Sequence, residues 1–329
     1  MNRPDPGPGH PAGEGMGIAV IGAGLIGRSW AIVFARAGRR IRLYDAAEGA
    51  AERAQTLIGQ GLRELHEQGL AEDPEGALAR VSIAASLEAA VADAELVQEN
   101  LPEDRALKAE VFARLEQVAP RETILASSTS AIPASAFTEG LETRGRCLVA
   151  HPVNPPHLVP LVELCGAPWT TPDTVSRAKA LYEAVGQVPI VVRHELDGFI
   201  LNRLQGALLT EAFRLVKDGY VSPQDLDKTV KDGLGLRWSF MGPFETIELN
   251  APDGIPDYWR RYAPFYRRLA ASPPGADAWD EEALTRVMEE RPALTRLQAR
   301  QTWRDRRLAA LVAHKRAMAR QIPEDGDQA

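Results

Sequence analysis

The 329-residue sequence predicts a doubly wound α/β sheet followed by an all-helical domain. Three observations carry that reading. An apolar run ends in closely spaced glycines and opens a helix near the N-terminus. Short β-branched runs then alternate with helical stretches as far as about residue 193. Beyond that point strand patterns give out, and apolar positions recur at helical spacing.

Taken in order, residues 1–15 (MNRPDPGPGHPAGEG) are nearly all Pro, Gly and polar. They cannot bury surface, so a disordered tail is expected; it lacks the basic-then-apolar order of a signal peptide. The first strand is Ile18-Ala19-Val20-Ile21, and the helix after it covers 28–35. Between them stands Gly22-Ala23-Gly24-Leu25-Ile26-Gly27, a G-x-G-x-x-G turn. Gly22 permits the tight turn, Gly24 lets a pyrophosphate approach the backbone, and Gly27 lets helix and strand pack closely. The unpaired N–H groups where the turn enters the helix then face the phosphates, and Leu25, Ile26 and Gly27 count with Gly22 and Gly24 as cofactor-binding positions. A second strand at 41–44 ends in Asp45, about twenty residues beyond Gly24, where a ribose-binding acid belongs. A carboxylate there accepts both adenosine ribose hydroxyls and repels a 2′-phosphate, so NAD is expected rather than NADP.

A long helix follows over 48–70, a short strand at 81–83 and a helix at 87–92. The strand 94–99 opens into Asn100-Leu101-Pro102-Glu103. After a helix at 107–118, the strand 123–126 empties into Ser127-Ser128-Thr129-Ser130, and a further helix covers 133–138. The strand 146–150 empties into His151-Pro152-Val153-Asn154-Pro155-Pro156. Strands at 161–164 and 188–192 flank a helix at 173–185. In such sheets ligands sit beyond the carboxyl ends of the strands. Glu103, Ser128, Ser130, His151 and Asn154 all fall there. From Asp197 onward Leu201, Leu204, Leu208, Ala212 and Leu215 mark one face of a long helix that Gly219 ends. Ser222-Pro223 caps the next, with Asp225 in its first turn. Trp238, Phe240, Trp259, Tyr262, Phe265 and Tyr266 read as core or subunit interface. Such a domain tends to bury itself against a copy, so a homodimer is expected. The domains read as 16–193 and 194–329.

The chemistry centres on His151. Prolines stiffen its loop, and twelve residues on Glu163 stands within an apolar strand, where a carboxylate needs a partner. Facing His151, it would fix the tautomer and stabilise the imidazolium while the ring takes a proton from a substrate hydroxyl. Ser130 offers a hydroxyl to the substrate oxygen, or else a helix cap. Asn202 places an amide in an apolar helix, for substrate or for a neighbouring helix.

The composition excludes other partners. The formal charge is -7, with no basic face, so nucleic acid and anionic membranes are poor partners. No apolar run reaches membrane length. Cys147 and Cys165 show no metal spacing and read as reduced thiols, so no metal and a cytoplasmic location are expected.

The motif order resembles the 3-hydroxyacyl-CoA dehydrogenase superfamily, and within it the L-gulonate 3-dehydrogenase/lambda-crystallin branch. The matching stretches are GAGLIGRSWA (22–31), SSTS (127–130), VAHPVNPPHLVPLVEL (149–164), DGFILNRLQ (197–205), VSPQDLD (221–227) and DGLGLRWSFMGPFET (232–246). The resemblance implies a Rossmann-type domain with added strands, a helical dimerising domain, and NAD. It implies His151 as acid/base, Glu163 as its orienting partner, and Ser130 and Asn202 on the substrate oxygen. Glu103, Lys108 and Asn154 match cofactor-side positions.

For the substrate, residues 46–80 hold seven acids against three arginines, a face that repels the phosphates of CoA. A small free L-3-hydroxy acid such as L-gulonate fits better. Its carboxylate needs a fixed cation, for which Arg237 is the candidate, against a surface or interface salt bridge. A short 3-hydroxyacyl-CoA and carnitine are the rivals within the enzyme class; a structural or NAD-sensing protein is the rival outside it.

Overall fold

The computed structural model describes residues 17–273, 275–291 and 296–322; the tail read at 1–15 lies outside them. The chain groups into two compact units. One runs up to Ile200 and takes in the chain again from Trp303, and the other is Leu201–Thr302. The division thus falls later than the expected break at 193/194, and the last stretch of chain belongs with the first unit.

The first unit alternates strands and helices: β1 (Gly17–Ile21), α1 (Leu25–Arg36), β2 (Ile41–Tyr44), α2 (Ala50–Glu67), α3 (Pro74–Ala79), β3 (Val81–Ile83), α4 (Leu87–Val91), β4 (Ala94–Glu99), α5 (Arg105–Val118), β5 (Ile124–Ser127), α6 (Ser135–Thr138), β6 (Cys147–Pro152), β7 (Leu161–Gly166), α7 (Pro172–Ala184) and β8 (Val188–Val192). The eight strands form one sheet in the order β3-β2-β1-β4-β5-β6-β7-β8. Strands β1 to β6 are mutually parallel, as the α/β reading expects. β7 then runs antiparallel to β6, and β8 follows β7 in parallel. The connector 153–160 explains the reversal, because it is too short for the crossover that a parallel neighbour needs.

Helices cover both faces, so β1 is buried throughout. Its alternate residues enter two separate cores, Ile18 and Val20 on one side, Ala19 and Ile21 on the other. Trp30 and Phe34 of α1 stack at 5.3 Å between ring centroids, and Tyr182 of α7 closes on Trp30 at 5.4 Å. The helix read at 48–70 is α2; a further short helix that the reading passed over, α3, follows it, with Asp73 accepting a hydrogen bond from Gly76 N–H and Pro74 opening the helix.

Helix α8 (Phe199–Lys217) leads into the second unit, which holds α9 (Pro223–Lys228), α10 (Gly235–Trp238), α11 (Pro243–Glu248), α12 (Gly254–Ala270) and α13 (Glu281–Glu290); α14 (Leu297–Gln321) closes the described chain. Ser222 caps α9 by accepting from Asp225 N–H at 3.1 Å. A π-helical segment, Thr229–Leu234, joins α9 to α10. Among the described residues no helix is long and apolar enough to cross a membrane.

Candidate active site

The glycine turn lies where the sheet order reverses, between β1 and β4. Its three glycines are not equivalent. Gly22 has φ +91°, and a Cβ there would meet the Asn100 carbonyl oxygen at 2.8 Å. A Cβ on Gly27 would strike the Gly22 carbonyl oxygen at 1.9 Å. The fold itself therefore demands both. At Gly24 a Cβ would meet nothing within 4 Å, so internal packing does not explain the residue. The space beside it would admit a phosphate to the backbone, and the neighbouring Leu25 is 54% exposed. Asp45 closes the site from β2: Oδ2 accepts Ala23 N–H at 2.7 Å and Oδ1 accepts Ala47 N–H at 2.9 Å. Each oxygen keeps a lone pair for a ribose hydroxyl. The residues present fit NAD.

The loop after β5 is held by Glu103. Its Oε1 accepts Thr129 Oγ1–H at 2.5 Å, Ser130 N–H at 3.1 Å and Ala131 N–H at 2.9 Å. Ser130 is exposed, and helix α6 begins after Ala134 with no side-chain cap, so the capping alternative for Ser130 does not apply. Ser128 has a different setting. Its hydroxyl donates to Asn100 Oδ1 at 2.7 Å and accepts from Trp30 Nε1–H at 3.0 Å and Gln98 Nε2–H at 2.8 Å. One donor and two lone pairs are all engaged. Ser128 thus builds the floor of the site, with Tyr182 bonded to Gln98 behind it.

Lys108 is also internal. Its ammonium, 1% exposed, bonds Glu99 Oε1 at 2.9 Å and Oε2 at 3.0 Å. Ser127 Oγ–H and Leu101 N–H complete the Glu99 carboxylate, at 2.5 and 2.6 Å. Any influence of Lys108 on a bound cofactor therefore passes through the 99–103 loop. Glu99 itself drew no notice in the sequence, although an acid closing an apolar strand called for a buried partner as Glu163 did. Asn154 is exposed in the connector after β6.

His151 and Glu163 are opposite each other across the β6–β7 ladder. His151 Nδ1 lies 2.8 Å from Glu163 Oε2. Exposure is 5% for the histidine and 0% for the glutamate. The second carboxylate oxygen accepts Ile200 N–H at 2.9 Å. The Phe199 ring lies 5.4 Å from the imidazole, tilted by 34°. Phe199 is 1% exposed and holds φ +47°, the left-handed region, just after Gly198. Neither Phe199 nor the Ile200 amide was singled out in the sequence. With Nδ1–H donated to the carboxylate, Nε2 is the nitrogen able to accept a proton.

In the second unit Asn202 is half-buried on α8, and Arg237 is exposed on α10. Among the described residues no carboxylate lies within ion-pair distance of Arg237. Cys147 and Cys165 are both free and buried, and burial pushes each thiol up to about 12, far from thiolate chemistry. The described residues hold no His/Cys/Asp/Glu cluster able to bind a metal.

This sheet order, glycine turn and strand-end acid define an NAD-binding oxidoreductase fold. The chain belongs to the 3-hydroxyacyl-CoA dehydrogenase family: the family's NAD-binding domain matches residues 17–196 and its C-terminal domain residues 198–287. Its relatives include the lambda-crystallin of Oryctolagus cuniculus, 40% identical over 309 residues, covering 92% of this chain and 97% of the relative. L-Carnitine dehydrogenase of Streptomyces griseus is 40% identical over 237 residues, covering 72% of this chain and 70% of the relative. Among solved structures, an NAD+-dependent dismutase, 5-formyl-3-hydroxy-2-methylpyridine 4-carboxylic acid 5-dehydrogenase, is similar with a TM-score of 0.78 and 30% identity, covering 90% of this chain and 97% of that one.

Proposed function

We propose that the protein oxidises the C3 hydroxyl of a small free L-3-hydroxy acid of the L-gulonate type, using His151 as general base and Glu163 as its orienting carboxylate. The observation that carries this reading is the buried 2.8 Å contact between His151 Nδ1 and Glu163, with Ile200 N–H on the other carboxylate oxygen. Fixed at both oxygens, the carboxylate holds the ring in one tautomer and leaves Nε2 to take the hydroxyl proton. The imidazolium formed is then stabilised by a charge already in place. Bound NAD supplies the hydride acceptor. Gly22 through Gly27 and Asp45 hold it, Glu103 and Ser128 shape the neighbouring loops, Asn154 completes the cofactor side, and Lys108 acts on it through the 99–103 loop. Ser130 and Asn202 orient the substrate oxygen, and Arg237 binds the carboxylate.

A free acid is favoured over a CoA ester by charge. All seven acids of 46–80 are exposed, and Arg63 is bonded to Glu75 at 3.2 Å. That face disfavours a polyanionic carrier. Carnitine is the second reading, supported by the aromatic cluster on α12, where Tyr258 and Tyr262 stand 4.5 Å apart and present faces suited to a quaternary ammonium. The exposed apolar residues of the second unit support a homodimer, and the reduced, buried cysteines support a cytoplasmic setting.

Nicotinamide absorbance followed with L-gulonate, L-3-hydroxybutyrate, carnitine and 3-hydroxybutyryl-CoA in parallel tests the proposal. Turnover of a free hydroxy acid is expected. Turnover of the CoA ester alone overturns the charge argument, and NAD binding without any turnover returns the protein to a structural role. His151→Ala should lower turnover by roughly 10²–10⁴ with NAD affinity retained. Arg237→Ala should raise KM for the free acid by roughly ten- to a hundredfold, the loss of a charge-assisted pair. An equal rise for an uncharged alcohol would make Arg237 structural.

A further inference from the structure

We infer that Arg36 is a positioning residue: with the helical turns from Trp303 onward, it pins the connector 153–160 and so holds His151 in register with Glu163. The inference rests on the His151–Glu163 reading above. The connector joins β6 to β7, so its conformation sets how the two strands slide past each other. A slip in that register moves both catalytic side chains.

One hydrogen bond and one core side chain hold the connector, and α14 packs on the core that this side chain enters. Arg36, the last residue of α1 and half-buried, donates from Nη1 to the His157 carbonyl oxygen at 2.7 Å. Leu158, 3% exposed, joins the core cluster that contains Trp30, Val162 and Ala309. Leu308, Ala309, Val312 and Ala313, at helical spacing on α14, pack on that same cluster. This part of α14 lies beyond residue 287, where the match to the family's C-terminal domain ends.

Arg36 is poorly placed for stability alone. Among the described residues no carboxylate is within ion-pair distance of it. Burial and the neighbouring Arg316 guanidinium bring it down to about 10. A desolvated cation beside a second cation, bonded to one carbonyl, costs free energy that a neutral side chain would not. What the guanidinium provides is a long, planar donor that reaches across to the connector. The His157 ring contributes no competing charge, since burial and Arg36 lower it to about 4. Arg36 also lies roughly 17 Å along α1 from the turn that faces the cofactor, so its effect on catalysis is separable from NAD binding.

Arg36→Met removes the donor and keeps the stem. The expected result is a kcat lowered roughly ten- to a hundredfold, the cost of a small misplacement, with an altered kcat–pH profile and NAD affinity within about twofold of the parent. Arg36→Lys, which restores a shorter donor, should recover part of kcat. Leu158→Ala loosens the same connector without touching Arg36 and should reproduce the kcat loss, which keeps the inference testable if Arg36→Met does not fold. An unchanged kcat and pH profile in the folded Arg36 or Leu158 variants overturns it, as does a kcat loss fully accounted for by unfolded protein. His151→Ala is measured alongside. If that variant turns over normally, the dyad reading itself has failed; if it is inactive while Arg36→Met is normal, only the positioning role has.

Discussion

The two units place their apolar residues in opposite ways. In the first, the sheet is sandwiched between two cores, and Trp30, Phe34 and Phe112 are 0% exposed. In the second, the buried apolar residues among those described are Val216, Ala251, Ala278 and Ala283, while Trp259 is 64% and Phe240 65% exposed. Its helices are tied instead by contacts such as Lys217 to Asp280 at 2.6 Å and Trp279 Nε1–H to Thr210 Oγ1 at 3.0 Å. Exposed ion pairs contribute only about 0–1 kcal/mol each. The first unit therefore accounts for its own stability, whereas the second needs its apolar side covered. The dyad sits in the self-sufficient unit, where a fixed geometry is easiest to hold.

Three experiments sharpen or break this contrast. The largest effect should come from the first unit's core. Trp30→Ala should destabilise by roughly 3–5 kcal/mol, and it also strips one donor from Ser128; denaturant unfolding measures it. A loss under about 1 kcal/mol would mean that this core is not closed. In the second unit, Phe265→Asp should leave monomer folding little changed but weaken self-association by about 2 kcal/mol, some thirtyfold in dissociation constant. Sedimentation at graded concentrations reads this directly, and an unaltered mass distribution would show that no copy covers that face. The third effect is a pH dependence, absent at neutral pH. His157 is lowered from its usual 6.5 to about 4 by burial and by Arg36. The unfolded chain then binds the proton first, so stability should hold above pH 6.5 and fall as pH drops toward 4. His157→Gln should flatten that part of the Tm–pH curve; an unchanged slope would place the proton uptake elsewhere.

The α/β sheet was legible because its signals are local: β-branched runs, a glycine turn and Asp45 each declare themselves within a few residues. The reversal at β7 was not drawn from the sequence, since an apolar strand does not announce its direction; the short connector at 153–160 was the available signal. His151 and Glu163 were legible as a pair because an acid in an apolar strand needs a partner. The Ser128 network was not, because Trp30, Asn100 and Tyr182 come from distant segments, and only the fold shows that the hydroxyl is fully engaged. Periodicity likewise marked an apolar face on α8 without saying what covers it: Leu204 is 65% exposed.

Phe199 carries one last consequence. Its backbone angle suits glycine, and relief of that strain is worth about 1 kcal/mol. Yet the ring that pays for the strain is the one lying against His151. The substitution that would relax the main chain deletes the aromatic wall, so comfort and order at this junction cannot be improved together, and drift toward the easier residue is closed off.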